Sequence, residues 1–306
     1  MLKVNHIVKH FENLTALDNV SITINDGEFY GLLGPNGAGK STLMNIIIGY
    51  LLPDSGHIAI DNEMMNFENV ALRKKIGFVP QEISLFLELS AEKNLKIFGE
   101  LFELEGKVLE KRIAEVLELV QLQDRKNDRV NDYSGGMKRR LNIAASLLHN
   151  PQILLCDEPT VGVDPQSRNA IFDMLQFLNK SGKTIVYTTH YMEEAERLCS
   201  KVAIIDHGRI IEQGTVLELI NLLNQKDVIK ISKTPFTVKL LDKIKEIGMI
   251  NEQDFHFELI PSDNFTKKSK IFAALEDLNI PGNLIEVSMA TLEDVFLNLT
   301  GRRLRD

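Results

Sequence analysis

Two cysteines in 306 residues, Cys156 and Cys199, are too few for a disulfide framework or a cysteine-rich zinc site. No run of 18 apolar residues occurs. The longest candidate, residues 43–52, is short and interrupted by Asn45, so no segment is expected to cross a bilayer. The opening Met1-Leu2-Lys3-Val4-Asn5-His6 does not lead into the apolar stretch of a secretory signal. Excess basic charge is also missing. A net charge of −8 and a pI near 5.5 argue against nucleic acid as the main partner. Neither a Gly or Pro excess nor an internal repeat marks disorder or a solenoid. With 44% apolar and 25% charged residues, the chain suits one large domain plus a small one, with ample core. It is expected in the cytoplasm, reaching a membrane only through a partner.

What the sequence does contain is organised around Gly34-Pro35-Asn36-Gly37-Ala38-Gly39-Lys40-Ser41-Thr42. An apolar run, Phe29 to Leu33, precedes it, and Leu43-Met44-Asn45-Ile46-Ile47-Ile48 follows. Strand, glycine-rich loop and helix in that order are the setting of a phosphate-binding loop. Glycines at 34, 37 and 39 let backbone N–H groups turn inward on an anion, and the helix start adds its positive dipole end. In such a loop Lys40 reaches the β- and γ-phosphates and the Ser41 hydroxyl ligates Mg²⁺. The stretch predicts binding of a nucleoside triphosphate.

Residues 2–33 read as short strands, with a turn at Asn25-Asp26-Gly27. Further strands are expected over 55–62 and 75–79. From about 83 to 150 the apolar spacing is helical. Buried-strand runs return at 153–156 and 184–187, separated by a helix from about Pro165 to Lys180. A hairpin turning at His207-Gly208 and a helix to about Asn224 follow. Beyond Gln225, strand-like (227–233, 255–260, 284–289) and helical (237–247, 265–278, 291–299) segments alternate, read as a separate small α+β domain. Cys156 reads as a small buried hydrophobe.

Four further features bear on the site. Asp157-Glu158 ends the run 153–156, at the strand edge where α/β sheets bind ligands. Asp157 suits a water-mediated hold on Mg²⁺ and Glu158 the activation of water, although two acids in a loop would look the same. His190 ends the run 184–189, and by itself it reads first as a surface or helix-capping histidine. Gln81 alone says little. Ser134-Gly135-Gly136 opens a helix and offers an anion site or an ordinary N-cap.

Taken in order, the loop at 34–42, Gln81, Tyr133-Ser134-Gly135-Gly136-Met137, Ile153 to Glu158, Val163-Asp164 and His190 resemble the ATP-binding cassette (ABC) ATPase family over about residues 2 to 222. The resemblance implies an α/β fold, a P-loop NTPase core with an antiparallel β subdomain and an inserted helical subdomain at about 83–150. That domain would span 1–224, with a small C-terminal α+β domain at 225–306. It further implies ATP and Mg²⁺ as ligands. Phe11 would stack on adenine, where the family more often has Tyr, the alternative being a strand aromatic in the core. Gly34 to Thr42 would bind the triphosphate, and Ser41, Gln81 and Asp157 would surround Mg²⁺. Glu158 would be the general base, His190 the γ-phosphate sensor, and Asp164 the loop residue reaching the other subunit. Ser134, Gly135 and Gly136 would contact the nucleotide of the opposite chain.

The partners so implied are a second ABC ATPase subunit, most simply a second copy, and a transmembrane permease gripped by the helical part. Ile83-Ser84-Leu85-Phe86-Leu87 is the apolar candidate for that grip, and equally a plain core segment. Tyr133 and Met137 depart from the commonest signature, which has Leu and Gln there. Lys138-Arg139-Arg140 reads as a solvated helix face. Thr291 to Gly301 looks like the tail of bacterial drug- and antibiotic-exporter ATPases. The expected role is therefore the ATPase of an exporter, peripheral on the cytoplasmic face of the membrane. The alternatives are an importer ATPase, a soluble ABC ATPase on ribosomes or DNA, and a non-hydrolysing regulatory module.

Overall fold

A computed structural model describes residues 1–65, 69–223, 228–262, 268–288 and 290–301. The expected boundary at 224/225, the first residue of the strand at 227–233, the start of the helix at 265–278 and the end of the strand at 284–289 lie outside the described residues. The chain divides into two compact units, Met1–Leu217 (with Leu299 to Gly301) and Glu218–Asn298.

The first unit opens with β1 (Leu2–Phe11) and β2 (Leu14–Ile24), then β3 (Phe29–Leu33), α1 (Lys40–Ile47), β4 (Ser55–Ile60), β5 (Glu63–Met64), α2 (Val70–Arg73) and β6 (Ile76–Val79). Three larger helices follow, α3 (Ala91–Leu101), α4 (Gly106–Leu119) and α5 (Gly135–Leu147). Then come β7 (Ile153–Asp157), α6 (Pro165–Lys180), β8 (Thr184–Thr189), α7 (Met192–Leu198), β9 (Lys201–Asp206) and β10 (Arg209–Gly214), and α8 (Val216–Asn221) begins in this unit and continues into the second. An antiparallel sheet has the order β2-β1-β4-β5, and a six-stranded sheet the order β10-β9-β3-β8-β7-β6. In the second sheet only the β9–β10 edge is antiparallel. Every residue of β3, β7 and β8 is buried, the pattern of parallel strands covered on both faces. Leu2, Ile7, Leu17 and Ile24 of the antiparallel sheet share one core with Leu43, Met44 and Ile47 of α1 and with Leu32 and Leu155 of the parallel sheet.

The helical stretch begins later than its spacing suggests. Residues 83–90 form no helix, because the buried Asn94 fastens them: it accepts from Phe86 N at 2.8 Å and donates to Phe86 O at 2.9 Å. Ser90, Ser134 and Asp164 cap α3, α5 and α6, accepting from the backbone N–H three residues on. Pro165 then takes the first helical position, where a missing N–H costs nothing.

The second unit contains β11 (Val228–Ser232), α9 (Pro235–Lys239), α10 (Leu241–Lys245), β12 (Gly248–Glu252), β13 (His256–Pro261), α11 (Lys268–Asp277) and β14 (Ile285–Ser288). The chain then runs into α12 (Leu292–Thr300). The sheet order β12-β13-β11-β14 is wholly antiparallel, over a core of Ile229, Ile231, Phe257, Leu259, Ile271 and Leu275. The sequence reading missed β12 and took 237–247 as one helix. A capping box at Thr234 starts α9, and a break at Leu240 divides it from α10. Gly248 then lies so close to Ile260 O that a Cβ would stand 2.1 Å from it. Mostly exposed and short, β12 lacks the alternation that would have announced a strand.

Both thiols are buried and desolvation pushes their pKa well above the ordinary range. Native protein is expected to leave an aromatic disulfide reagent unreacted over minutes, with two thiols titrating once urea unfolds it. Fast reaction of either in the native state would contradict this packing.

Candidate functional site

The central strand β3 ends at Leu33, and its buried neighbours dictate how the next residues run. A Cβ on Gly34 would stand 2.1 Å from Ile205 O, and one on Gly39 2.6 Å from Ala16 O. Gly39 also has φ +107° and Gly37 φ +80°, both in the region that favours glycine. The backbone is thereby bent over the first turn of α1, with Ser41 exposed at the helix start.

A cleft of about 440 Å³ opens above this turn. It brings together Phe11, Asn36, Gly37, Gly39, Lys40, Ser41, Thr42, Gln81 and Glu158. Thr15, Ala16, His207 and Gly208 also line it, and sequence reasoning had assigned them nothing. The only signal for the last two was their turn. Phe11 is 42% exposed at the rim rather than a core aromatic, with Lys9 Nζ 5.5 Å from its ring centre. Size does not mark the site: a larger hollow of about 1270 Å³, between α3 and α4, is lined by side chains of both charges, among them Lys93, Glu100 and Lys126.

Lys40 is 4% exposed and fully engaged. Its Nζ donates to Gly34 O at 2.8 Å and Pro35 O at 3.0 Å, and pairs with Glu158 Oε1 at 3.0 Å. Glu158 holds φ +44°, an uncommon value for a residue with a Cβ, and its other oxygen lies 3.2 Å from His190 Nδ1. Thr188 Oγ1 accepts from Glu158 N at 2.9 Å and donates to Asp157 Oδ1 at 2.7 Å. The two adjacent carboxylates therefore point to different tasks.

Ser134, Gly135, Gly136 and Asp164 do not line this cleft. They form a second cluster, in which a Cβ on Gly136 would collide with Ser167 Oγ at 2.1 Å and lie 3.3 Å from Asp164 Oδ2. The Asp164 carboxyl is held below the usual range by the Ser167 N–H, and Gly135 has open space before it. The expected solvated face at 138–140 is corrected. Arg139 is 5% exposed and donates to Pro80 O at 2.8 Å and Gln81 O at 2.5 Å, locking the backbone that presents Gln81. An arginine between two basic neighbours gives no hint of such burial.

The Ser41 hydroxyl, the Gln81 amide and the Asp157 carboxylate are hard oxygen donors, the set that Mg²⁺ prefers. Among the described residues no group of three His, Cys, Asp or Glu is arranged to hold a metal. Also among them, no helix is long and apolar enough to cross a membrane.

A glycine-rich turn at the end of a central parallel strand, a buried lysine facing it and a strand-end carboxylate pair define a P-loop nucleoside triphosphatase. The chain matches the ABC transporter family model over residues 17–161. It is 40% identical to the linearmycin resistance ATP-binding protein LnrL of Bacillus subtilis (strain 168), over the whole of both chains. It is 38% identical to the Nod factor export ATP-binding protein I of Ralstonia nicotianae, over all of this chain and 95% of that one. Among solved structures, the dimeric post-hydrolysis ATP-binding cassette MJ0796 bound to ADP and Pi superposes with a TM-score of 0.64 at 33% identity, over 70% of this chain and 98% of the other. A nucleotide-free cassette gives 0.67 at 29%, over 74% and 95%. The chain belongs to the ATP-binding proteins of the ABC transporter family and is an ATPase.

Proposed function

We propose that this chain is the energy-coupling ATPase of a membrane exporter, acting as one of two copies around two ATP molecules on the cytoplasmic face of the membrane. The observation carrying the exporter reading is similarity from end to end. The relatives named for linearmycin resistance and Nod factor export align with all of this chain, including residues 225–306. In this reading 1–224 is the nucleotide-binding domain, 83–150 its helical part and 225–306 an accessory domain.

Phe11 stacks on adenine, and Gly34 to Thr42 cradle the triphosphate, with Lys40 leaving Glu158 for the β- and γ-phosphates. Ser41, Gln81 and Asp157 would hold Mg²⁺, which supplies neutralising charge to the phosphates. Glu158 takes the proton of the attacking water and His190 reads the γ-phosphate. Ser134, Gly135, Gly136 and Asp164 serve the nucleotide on the opposite copy. Support for this comes from the open space before Gly135 at the leading end of α5. ATP then joins the halves, and its γ-phosphate sets the open–closed equilibrium.

For the permease, a hollow of about 310 Å³ lined by Ile48, Phe78, Ser84, Phe98, Phe102 and His149 offers an apolar seat beside the segment 83–87. The test is affinity purification of the tagged protein from detergent-solubilised membranes of its native host. Recovery of a multi-span membrane protein in comparable amount is expected. Recovery of ribosomes or DNA with no membrane protein would replace the transporter by a soluble role.

A further inference from the structure

Behind Glu158 and His190 lies a buried carboxylate that hydrolysis as described leaves without a task. Glu194, on α7, is 4% exposed, yet its oxygens accept three hydroxyl bonds. Thr160 Oγ1 donates to Oε1 at 2.8 Å, while Tyr187 OH and Thr189 Oγ1 each donate to Oε2 at 2.8 Å. Arg168 Nε, in the first turns of α6, stands 3.8 Å from Oε1. A carboxylate withdrawn from water is costly to keep unless such partners surround it. Burial also drives the Tyr187 phenol well above its ordinary pKa, so it remains a donor.

The places of these hydroxyls carry the argument. Thr160 follows Glu158 by two residues, at the start of the loop that ends in Asp164. Thr189 immediately precedes His190, and its Oγ1 also accepts from Tyr191 N at 2.9 Å. One carboxylate therefore grips the loop that carries the base and the strand end that carries the histidine. It does so from outside the cleft, which Glu194 does not line.

We propose that Glu194 is a positioning residue for ATP hydrolysis, tying the loop of Glu158 to the strand end of His190 and so fixing the gap in which the attacking water is held. The proposal rests on the reading of Glu158 and His190 given above. Displacement of a reacting group by about 1 Å costs on the order of a hundredfold in rate, with little effect on binding. A carboxylate serving only to stabilise α7 would have no such selectivity.

The experiment compares steady-state ATPase kinetics, affinity for a fluorescent ATP analogue and thermal unfolding in Glu194→Ala, Glu194→Gln and Glu158→Gln. Glu194→Ala is expected to lower kcat by about ten- to a hundredfold, with KM and analogue affinity within about twofold of wild type. In Glu194→Gln the amide accepts and donates, and rotatable hydroxyls adapt to it, so kcat is expected within about fivefold of wild type. Should Glu194→Ala not fold, Thr160→Val gives the same split with a smaller fall. The proposal is overturned by wild-type kcat in the folded alanine or valine variant, by kcat and affinity falling together, or by glutamine doing no better than alanine. An inactive Glu158→Gln beside a wild-type-like Glu194→Ala removes Glu194 alone. An active Glu158→Gln removes the underlying reading.

Discussion

Glu158→Gln is expected to bind ATP and scarcely turn it over, with hydrolysis down by ~10²–10⁴-fold, the usual contribution of a general base. The carboxylate sits between Lys40 Nζ, 3.0 Å away, and His190 Nδ1, 3.2 Å away, on a backbone held at φ +44°. Glutamine keeps the shape and loses the charge. Without the Glu158 charge, Lys40 retains its bonds to Gly34 O and Pro35 O but no competing anion, so ATP affinity is expected to be unchanged or higher. The variant is also expected to accumulate as an ATP-bound dimer. Phosphate release, analogue binding and gel filtration with ATP measure the three quantities. Near-normal phosphate release would remove Glu158 from its assigned role.

Lys40→Ala is expected to fail differently. It loses the charged donor to the phosphates, worth about 1.5–3 kcal/mol per hydrogen bond, so affinity should fall by on the order of a hundredfold. It also strands Glu158, which is 5% exposed, without its cation. Removing one partner of a buried ion pair costs roughly 3–5 kcal/mol, because the survivor stays desolvated. A lower urea midpoint without nucleotide is therefore expected together with lost binding, whereas Glu158→Gln, which strands the buried Lys40 in the same way, keeps its binding. Normal nucleotide affinity in Lys40→Ala would contradict the phosphate assignment.

The loop at 34–42 was legible because phosphate chemistry restricts the residue types at fixed spacing, and β3, β7 and β8 because strands buried on both faces must be apolar throughout. Asp157, Glu158 and His190 were legible as strand-end residues: Asp157 closes β7, and Glu158 and His190 directly follow β7 and β8. Arg139 was not, since its partners are backbone carbonyls of residues 80 and 81, which any sequence supplies. Glu194 was hidden for a related reason. Thr160, Thr189 and Tyr187 read as ordinary strand and loop residues until the fold gathers their hydroxyls on one carboxylate. The strand β12 escaped because its five residues are mostly exposed and its anchor, Gly248, looks like a turn.

The order β3-β8-β7 has one further consequence. The phosphate turn, the histidine and the paired acids leave from three neighbouring strands, whose spacing the backbone ladder holds at about 4.8 Å. Such a bed is rigid, and reactants laid on it cannot be brought closer by flexing it. Any stroke must therefore arise in parts outside the ladder; in the proposed dimer that part is the leading end of α5, which would meet the fuel as a moving jaw meets an anvil.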